Sequence, residues 1–156
     1  MKLVILFTAM LLQTATLKQN DLDGLAGKHW AGTLTYLDYT SSRLTAIPTE
    51  LTVKAIGNGA YEWHTAYPKE PSHNSTDTLV ISADGKLLDG EAVTQRSLKN
   101  GMLKIVTLKT GEDNNKPADF RFTYLIGNRS FSRKKEVMYN GTTDWFTRNT
   151  LKLVVK

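Results

Sequence analysis

The 156-residue sequence contains no cysteine, which excludes a disulfide framework, a thiolate metal site and a cysteine nucleophile. The three histidines, His29, His64 and His73, leave few ways to build a transition-metal site, so we expect no metal and no cofactor. The chain also lacks a Gly-x-Ser-x-Gly elbow, a His-Glu-x-x-His motif and a glycine-rich phosphate loop. No motif therefore supports an enzyme, although the absence of motifs does not decide the question.

Long apolar runs are scarce, and the one at the N-terminus is too short to span a bilayer comfortably. A lysine precedes the apolar residues 3–12, and small and polar residues occupy positions 13–16. This layout predicts a signal peptide over residues 1–16, a domain over residues 17–156, and a secreted or periplasmic location. The alternative is an N-terminal core helix or strand, but the apolar run has no amphipathic period. We expect no membrane insertion of the mature chain.

The formal net charge is +5, and the basic residues are spread along the chain. Four basic residues near a predicted hairpin are typical of a solvated face, although they could attract an anionic surface. Because stacking aromatics are not interleaved with the basic residues, we expect no nucleic-acid binding. The densest basic group consists of Arg129, Arg133, Lys134 and Lys135.

Extended segments with period-two alternation follow one another from Trp30 to Val155, and no helix longer than one turn is predicted. Sequential hairpins favour antiparallel pairing, and closure of such a meander removes its exposed edges. We predict an all-β, antiparallel up-and-down barrel of about 8–10 strands, with an open β-sandwich as the alternative. Gly32, inside the first strand, indicates a bend or a close approach of two backbones. The turn motifs are Gly57-Asn58-Gly59, Asp84-Gly85, Asn100-Gly101 and Asn140-Gly141.

Gly27-Lys28-His29-Trp30 opens the first predicted strand, and Trp145-Phe146-Thr147-Arg148 lies in the last. In these segments the chain resembles the lipocalins and the wider calycin barrels, which open on Gly-x-Trp and pack an arginine of the last strand on that tryptophan. Leu37-Asp38-Tyr39-Thr40-Ser41-Ser42 is similar to a segment of small secreted bacterial lipocalin-like proteins. The glycine spacing and the missing disulfide depart from the lipocalin pattern. The resemblance implies a structural contact between Trp30 and Arg148, the alternative being that Arg148 binds an anionic ligand inside the barrel.

Two aromatic rows are the best candidates for the lining of a cavity, because Tyr and Trp combine apolar area with a hydrogen-bonding tip. We therefore predict a protein that binds a small apolar or amphipathic ligand inside the barrel. The alternative is that the rows fill the core and the barrel is a structural or protein-interaction module. The predicted ligand-binding residues are Tyr61, Trp63, Tyr67, Phe120, Phe122 and Tyr124.

His64 supports a weaker alternative, a haem-binding barrel. Period two places His64 and Glu62 on the face opposite to Tyr61 and Trp63, and the pattern does not decide which face is inward. If the His64 face were inward, its imidazole could be an axial haem ligand, with Met138 or Tyr139 nearby.

Overall fold

The computed structural model describes residues 15–156 and contains one antiparallel sheet of ten strands. Most of the predicted signal peptide lies outside the described residues. Each strand pairs with its neighbour in sequence, except that β5 begins a new edge and β1 pairs with β10. The strands are β1 (His29–Asp38), β2 (Arg43–Gly57), β3 (Ala60–Ala66), β4 (Ser75–Val80), β5 (Leu87–Leu88), β6 (Glu91–Lys99), β7 (Met102–Asp113), β8 (Lys116–Ile126), β9 (Ser130–Tyr139) and β10 (Phe146–Val155).

The two edges of the sheet, β4 and β5, meet at one short contact. Ile81 and Leu88 form an antiparallel bridge, and the amide of Asp89 donates to the carbonyl of Val80 at 2.8 Å. This contact curls the sheet into a nearly closed barrel. The predicted up-and-down barrel is confirmed, and the open sandwich is not formed.

Short turns join the strands, as the sequence predicts. In the β6–β7 hairpin both Asn100 and Gly101 have positive φ, 51° and 74°, which is the backbone twist that favours Asn-Gly in a two-residue turn. The helical elements of residues 15–156 are two single turns of 3-10 helix, Asp23–Leu25 and Pro71–His73. No helix in this described part of the chain is long and apolar enough to cross a membrane.

Residues 15–28 close one end of the barrel. Leu17, Leu22 and Leu25 are buried there, and the amide of Leu17 donates to the carbonyl of Gly85 at 2.8 Å. Trp30 is fully buried, and its indole Nε1 donates to the carbonyl of Leu25 at 3.0 Å. Burial of these side chains makes this end a closed floor, so any cavity must open elsewhere.

The predicted contact between Trp30 and Arg148 is wrong. In the β1–β10 register, Trp30 pairs with Val155 and Tyr36 pairs with Asn149, so Arg148 lies toward the other end of the barrel. The cation over Trp30 is the ammonium of Lys28, 5.5 Å from the ring centroid. A register shift between Thr147 and Asn149 also breaks the alternation of β10 at Arg148.

Candidate functional site

The barrel wall is incomplete between β4 and β7, at the end away from the closed floor. β6 first pairs with β7 at Ala92 and Leu108, so residues 109–113 of β7 have no partner strand on that side. Residues 75–79 of β4 pair with β3 alone. We call the opening between these two segments, above the β5–β6 turn at Asp89, the notch. It gives solvent a route into the barrel.

A cavity of about 270 Å³ lies beneath the notch. Ligand pockets in proteins are typically about 300–1,000 Å³, so this cavity suits one small molecule. Its walls come from β3 and β4 on one side and from the start of β6, β8 and β9 on the other. The lining residues are Trp63, Thr65, Asp77, Thr78, Leu79, Asp89, Glu91, Tyr124 and Arg133.

Two lining residues carry buried N–H groups without an acceptor. Trp63 is only 6% exposed, and its Nε1 has no hydrogen-bond partner within residues 15–156. Arg133 Nε is also buried and without a partner in that part of the chain. An unsatisfied buried donor costs about 1–3 kcal/mol, so two of them at one cavity are a notable feature of the fold.

Glu91 also lines the cavity, and it is buried. Its Oε2 accepts hydrogen bonds from the hydroxyls of Thr107 at 2.5 Å and Tyr124 at 3.2 Å. Its Oε1 is 3.9 Å from a terminal nitrogen of Arg133, too far for a hydrogen bond. Burial raises the pKa of Glu91, and the Thr107 hydroxyl and the Arg133 charge oppose that rise. The carboxyl is therefore only a weak counter-ion for Arg133.

Arg133 and Lys135 lie on the inward face of β9 rather than on an outer solvated face, although 39% of the Arg133 side chain stays exposed. The guanidinium of Arg133 lies 4.7 Å from the centroid of Phe122 and 5.4 Å from that of Tyr124. The ammonium of Lys135 lies 4.1 Å from the centroid of Phe120. Cations over ring faces gain a favourable electrostatic interaction, which helps to place charge inside this barrel. Burial lowers the pKa of Lys135.

The six predicted ligand-binding aromatics are distributed over four places. Trp63 and Tyr124 line the cavity, whereas Phe122 and Phe120 support the two inward cations. Tyr67 is half-buried, and burial, followed by the charge of nearby Asp77, raises its pKa. The last of the six lies at the closed floor, outside the cavity: Tyr61 donates to the carbonyl of Gln19 at 2.9 Å or to Asp23 at 2.7 Å.

His64 lies on the outer face of β3, so it cannot coordinate an iron inside the barrel and that haem alternative is wrong. Its exposed imidazole Nδ1 is 2.9 Å from the hydroxyl of Thr76. The inward residues of this strand are Tyr61 and Trp63, which are both buried. No group of three or more His, Cys, Asp or Glu side chains in residues 15–156 is arranged to hold a metal ion.

Arg148 belongs to a polar cluster at the rim, which we call the rim cluster: Tyr39, Asp113, Tyr139 and Arg148. The hydroxyls of Tyr39 and Tyr139 donate to Asp113, the latter at 3.0 Å, and Arg148 Nε lies 3.5 Å from the same carboxylate. The guanidinium also stacks 4.1 Å from the Tyr39 ring centroid and donates to the carbonyl of Leu37. The cluster links the β1–β2 loop to β7, β9 and β10. Within it, the charges of Asp113 and Arg148 compensate each other.

The sequence interpretation missed Glu91, Arg133, Lys135 and the rim cluster. A usable sign was present in β9, because Arg133 and Lys135 have the same parity as Phe131 and Val137, which are buried. The adjacent Lys134 has the opposite parity and pairs with Glu136 at 2.9 Å on the outer face. Alternation from Phe131 and Val137 was therefore a sign of two inward cations, which the clustering of charge obscured.

Comparisons with known proteins place the fold but not the family. No protein-family model and no curated protein matches the chain. The structure is similar to that of Rv2717c from M. tuberculosis, with 15% identity over 91% of this chain and 99% of that chain and a TM-score of 0.62. A protein of unknown function from the DUF3598 family of Nostoc punctiforme has 13% identity over 96% of this chain and 53% of its own, with a TM-score of 0.42. The likeness to Rv2717c shows the barrel fold alone, and the lipocalin resemblance stays a prediction.

Proposed function

We propose that the protein is a lipocalin-like binding protein that holds a small amphipathic molecule in the cavity beneath the notch. One observation carries the proposal: the buried Trp63 Nε1 and Arg133 Nε both lack an acceptor within residues 15–156, and both belong to residues lining that cavity. A ligand oxygen or nitrogen that accepts from them removes the cost of two unsatisfied donors. The binding energy would come from that recovery together with burial of the ligand's apolar part.

The cavity offers both polar groups and apolar surface to such a molecule. Arg133, Glu91 and Trp63 Nε1 supply the polar groups, and the ring of Trp63 with Leu79 supplies apolar surface. Ligand sites in barrels commonly combine apolar walls with a few polar groups that fix orientation. The absent stretch of wall between β4 and β7 gives the ligand access without opening a hydrogen-bonded strand pair.

We also propose that the protein is exported, through cleavage of residues 1–16. The support is the layout of the N-terminal sequence. Leu17, the first residue after the predicted cleavage region, is buried in the floor of the barrel. Sequencing the N-terminus of the protein isolated from periplasm or medium tests this, and a mature chain beginning before residue 10 contradicts it.

Native mass spectrometry of protein purified from its own source tests ligand binding. We expect a bound small molecule in the wild type and its loss in Leu79→Trp, because Leu79 lines the cavity and the larger ring occupies it. The matched control is Val80→Trp on the same strand, where the side chain is 43% exposed and outside the cavity lining. Retention of the molecule in Leu79→Trp would place it elsewhere. No bound molecule in any of the three proteins would favour a filled barrel that acts as an interaction module.

A further inference from the structure

We infer that the polar end of the ligand is a single carboxylate, so that the protein binds small organic monoanions. This inference rests on the proposed function, because it assigns the chemistry of the same cavity. It follows from the charge balance inside the barrel, from the acceptor capacity that the unpaired donors require, and from the acidic residues at the notch.

Two inward cations beside the cavity, Arg133 and Lys135, lack close ion pairs, although the carboxylates of Asp77, Asp89 and Glu91 also line it. Arg133 has only Glu91 within ion-pair distance, at 3.9 Å, and Lys135 has no acidic side chain within ion-pair distance in residues 15–156. The rim cluster does not supply the missing anion, because Asp113 is already shared by Arg148 and two tyrosines. Both cations are only partly withdrawn from water, the Arg133 side chain being 39% exposed, and a bound anion would offset the part of their hydration that is lost.

Glu91 cannot serve as the full counter-ion of both cations. Its Oε2 is occupied by the hydroxyls of Thr107 and Tyr124, and burial raises its pKa. The same burial lowers the pKa of Lys135, whereas the charges of Asp113 and Glu91 oppose that change. Both pKa directions have one cause, which is that burial disfavours the charged form of each group. A carboxylate placed beside Arg133 and Lys135 would favour the charged form of Lys135.

A carboxylate matches the donors better than a neutral carbonyl does. Trp63 Nε1 and Arg133 Nε point from β3 and β9, with β2, β1 and β10 between these strands in the sheet. A carboxylate has two oxygens with about four acceptor positions and no donor, so it can accept from both walls at once. A primary amide has one acceptor oxygen, and its NH₂ group would face Arg133 or Lys135. Charge-assisted hydrogen bonds are also about twice as strong as neutral ones.

The notch limits both the charge and the size of the ligand. Asp77 and Asp89 line the opening and are exposed, so they repel anions weakly through a screening length of about 8 Å. That repulsion grows with ligand charge, which favours a monoanion over a dianion. The cavity of about 270 Å³ suits a short aliphatic or single-ring acid.

Matched pairs of acids and amides test the inference directly. The probes are phenylacetate with phenylacetamide and hexanoate with hexanamide, at neutral pH. The readout is the indole N–H resonance of Trp63 in proton–nitrogen correlation spectra of the full chain, assigned by its loss in Trp63→Phe. We expect the acids to shift this resonance downfield, as a new hydrogen bond does, and to bind about tenfold or more tightly than their amides.

Lys135→Gln and Lys134→Gln remove the same charge from the inner and the outer face of one strand. We expect Lys135→Gln to reduce the preference for acids several-fold and Lys134→Gln to leave it unchanged. Equal or tighter binding of the amides would overturn the carboxylate assignment while leaving the proposed function in place. Failure of every probe to shift the Trp63 resonance at millimolar concentration would contradict both the carboxylate assignment and the proposed function. An acid preference that both lysine variants reduce alike would reflect the overall charge of the protein and would also overturn the assignment.

Discussion

Trp63 and Arg133 face one cavity from different walls of the barrel, and each presents a buried N–H without an acceptor in the part of the chain that the structure describes. Most buried polar groups in proteins are paired, so this arrangement is stable only because the surrounding barrel holds both side chains in place. Trp63 is held edge-on against Phe131 at a centroid distance of 5.7 Å, and Arg133 lies over Phe122. The rings hold the side chains that carry the two donors in place.

Trp63→Phe should cost less stability than the same change at the floor of the barrel. Both substitutions lose ring volume, but Trp63→Phe removes an unsatisfied donor, whereas Trp30→Phe removes a donor that bonds to the carbonyl of Leu25. We expect Trp30→Phe to be more destabilising by at least about 1 kcal/mol, the net worth of a hydrogen bond plus the desolvated acceptor left behind. Urea unfolding of ligand-free protein measures the difference. Equal losses would show that Trp63 Nε1 has a partner in solution.

The contributions of Glu91 and Glu136 to the free energy of unfolding should change with pH in opposite directions. The pKa of Glu91 is raised above 4.5 by burial, so its contribution to stability is present below about that pH and is lost as pH rises through the folded-state pKa. The pKa of Glu136 is lowered, chiefly by the hydrogen bond from Arg121, so its contribution is present above about pH 4.5 and is lost as pH falls through its folded-state pKa.

Urea unfolding of the wild type, Glu91→Gln and Glu136→Gln between pH 3 and pH 7 separates these effects. Relative to Glu91→Gln, the wild type should lose stability as pH rises above about 4.5. Relative to Glu136→Gln, it should lose stability as pH falls below about 4.5. The two variants are controls for each other, because each removes one ionisable carboxyl. If both differences changed in the same direction, Glu91 would not be a buried, weakly compensated carboxyl.

The barrel could be predicted from the sequence because the features that specify it are local in the chain. Alternation gives the strands, and Asn-Gly and Asp-Gly pairs give the hairpins, so the order of pairing follows from the chain itself. The aromatic rows also gave Trp63 and Tyr124, which line the cavity. Those features depend on a few adjacent residues, which a sequence displays directly.

The cation pair and the position of Arg148 could not be found in the same way. A run of five consecutive polar residues from Ser132 to Glu136 looks like surface, and only the buried Phe131 and Val137 on either side set its inward parity. The register shift before Asn149 adds a residue to β10, and this moves Arg148 to the rim beside Asp113. A bulge leaves little trace in a sequence, since it is fixed by pairing with a strand that is distant along the chain.

Substitutions in the rim cluster should destabilise the barrel to an extent that depends on how many contacts each one removes. Asp113→Asn removes the charge that Arg148 faces at 3.5 Å and weakens the bonds from both tyrosines, so we expect a loss of about 2 kcal/mol. Tyr139→Phe removes one hydrogen bond of 3.0 Å and should cost about 1 kcal/mol. Chemical denaturation measures both values. If Asp113→Asn cost less than Tyr139→Phe, the carboxylate would not be the centre of the cluster.

Gly32 lies where β1 and β10 pair closely, so a substitution at this position tests how closely the two strands approach. A Cβ at this position would lie 2.0 Å from the carbonyl oxygen of Lys152 on β10, and a backbone atom cannot move aside without breaking the β1–β10 ladder. We therefore expect Gly32→Ala to cost about 3 kcal/mol, the upper range for overpacking. Gly24→Ala is the matched control, because its Cβ would meet Ile126 at an ordinary 3.6 Å. Amide hydrogen exchange should show lost protection in β1 and β10 for Gly32→Ala only. Unchanged protection would mean that these two strands approach less closely than the register requires.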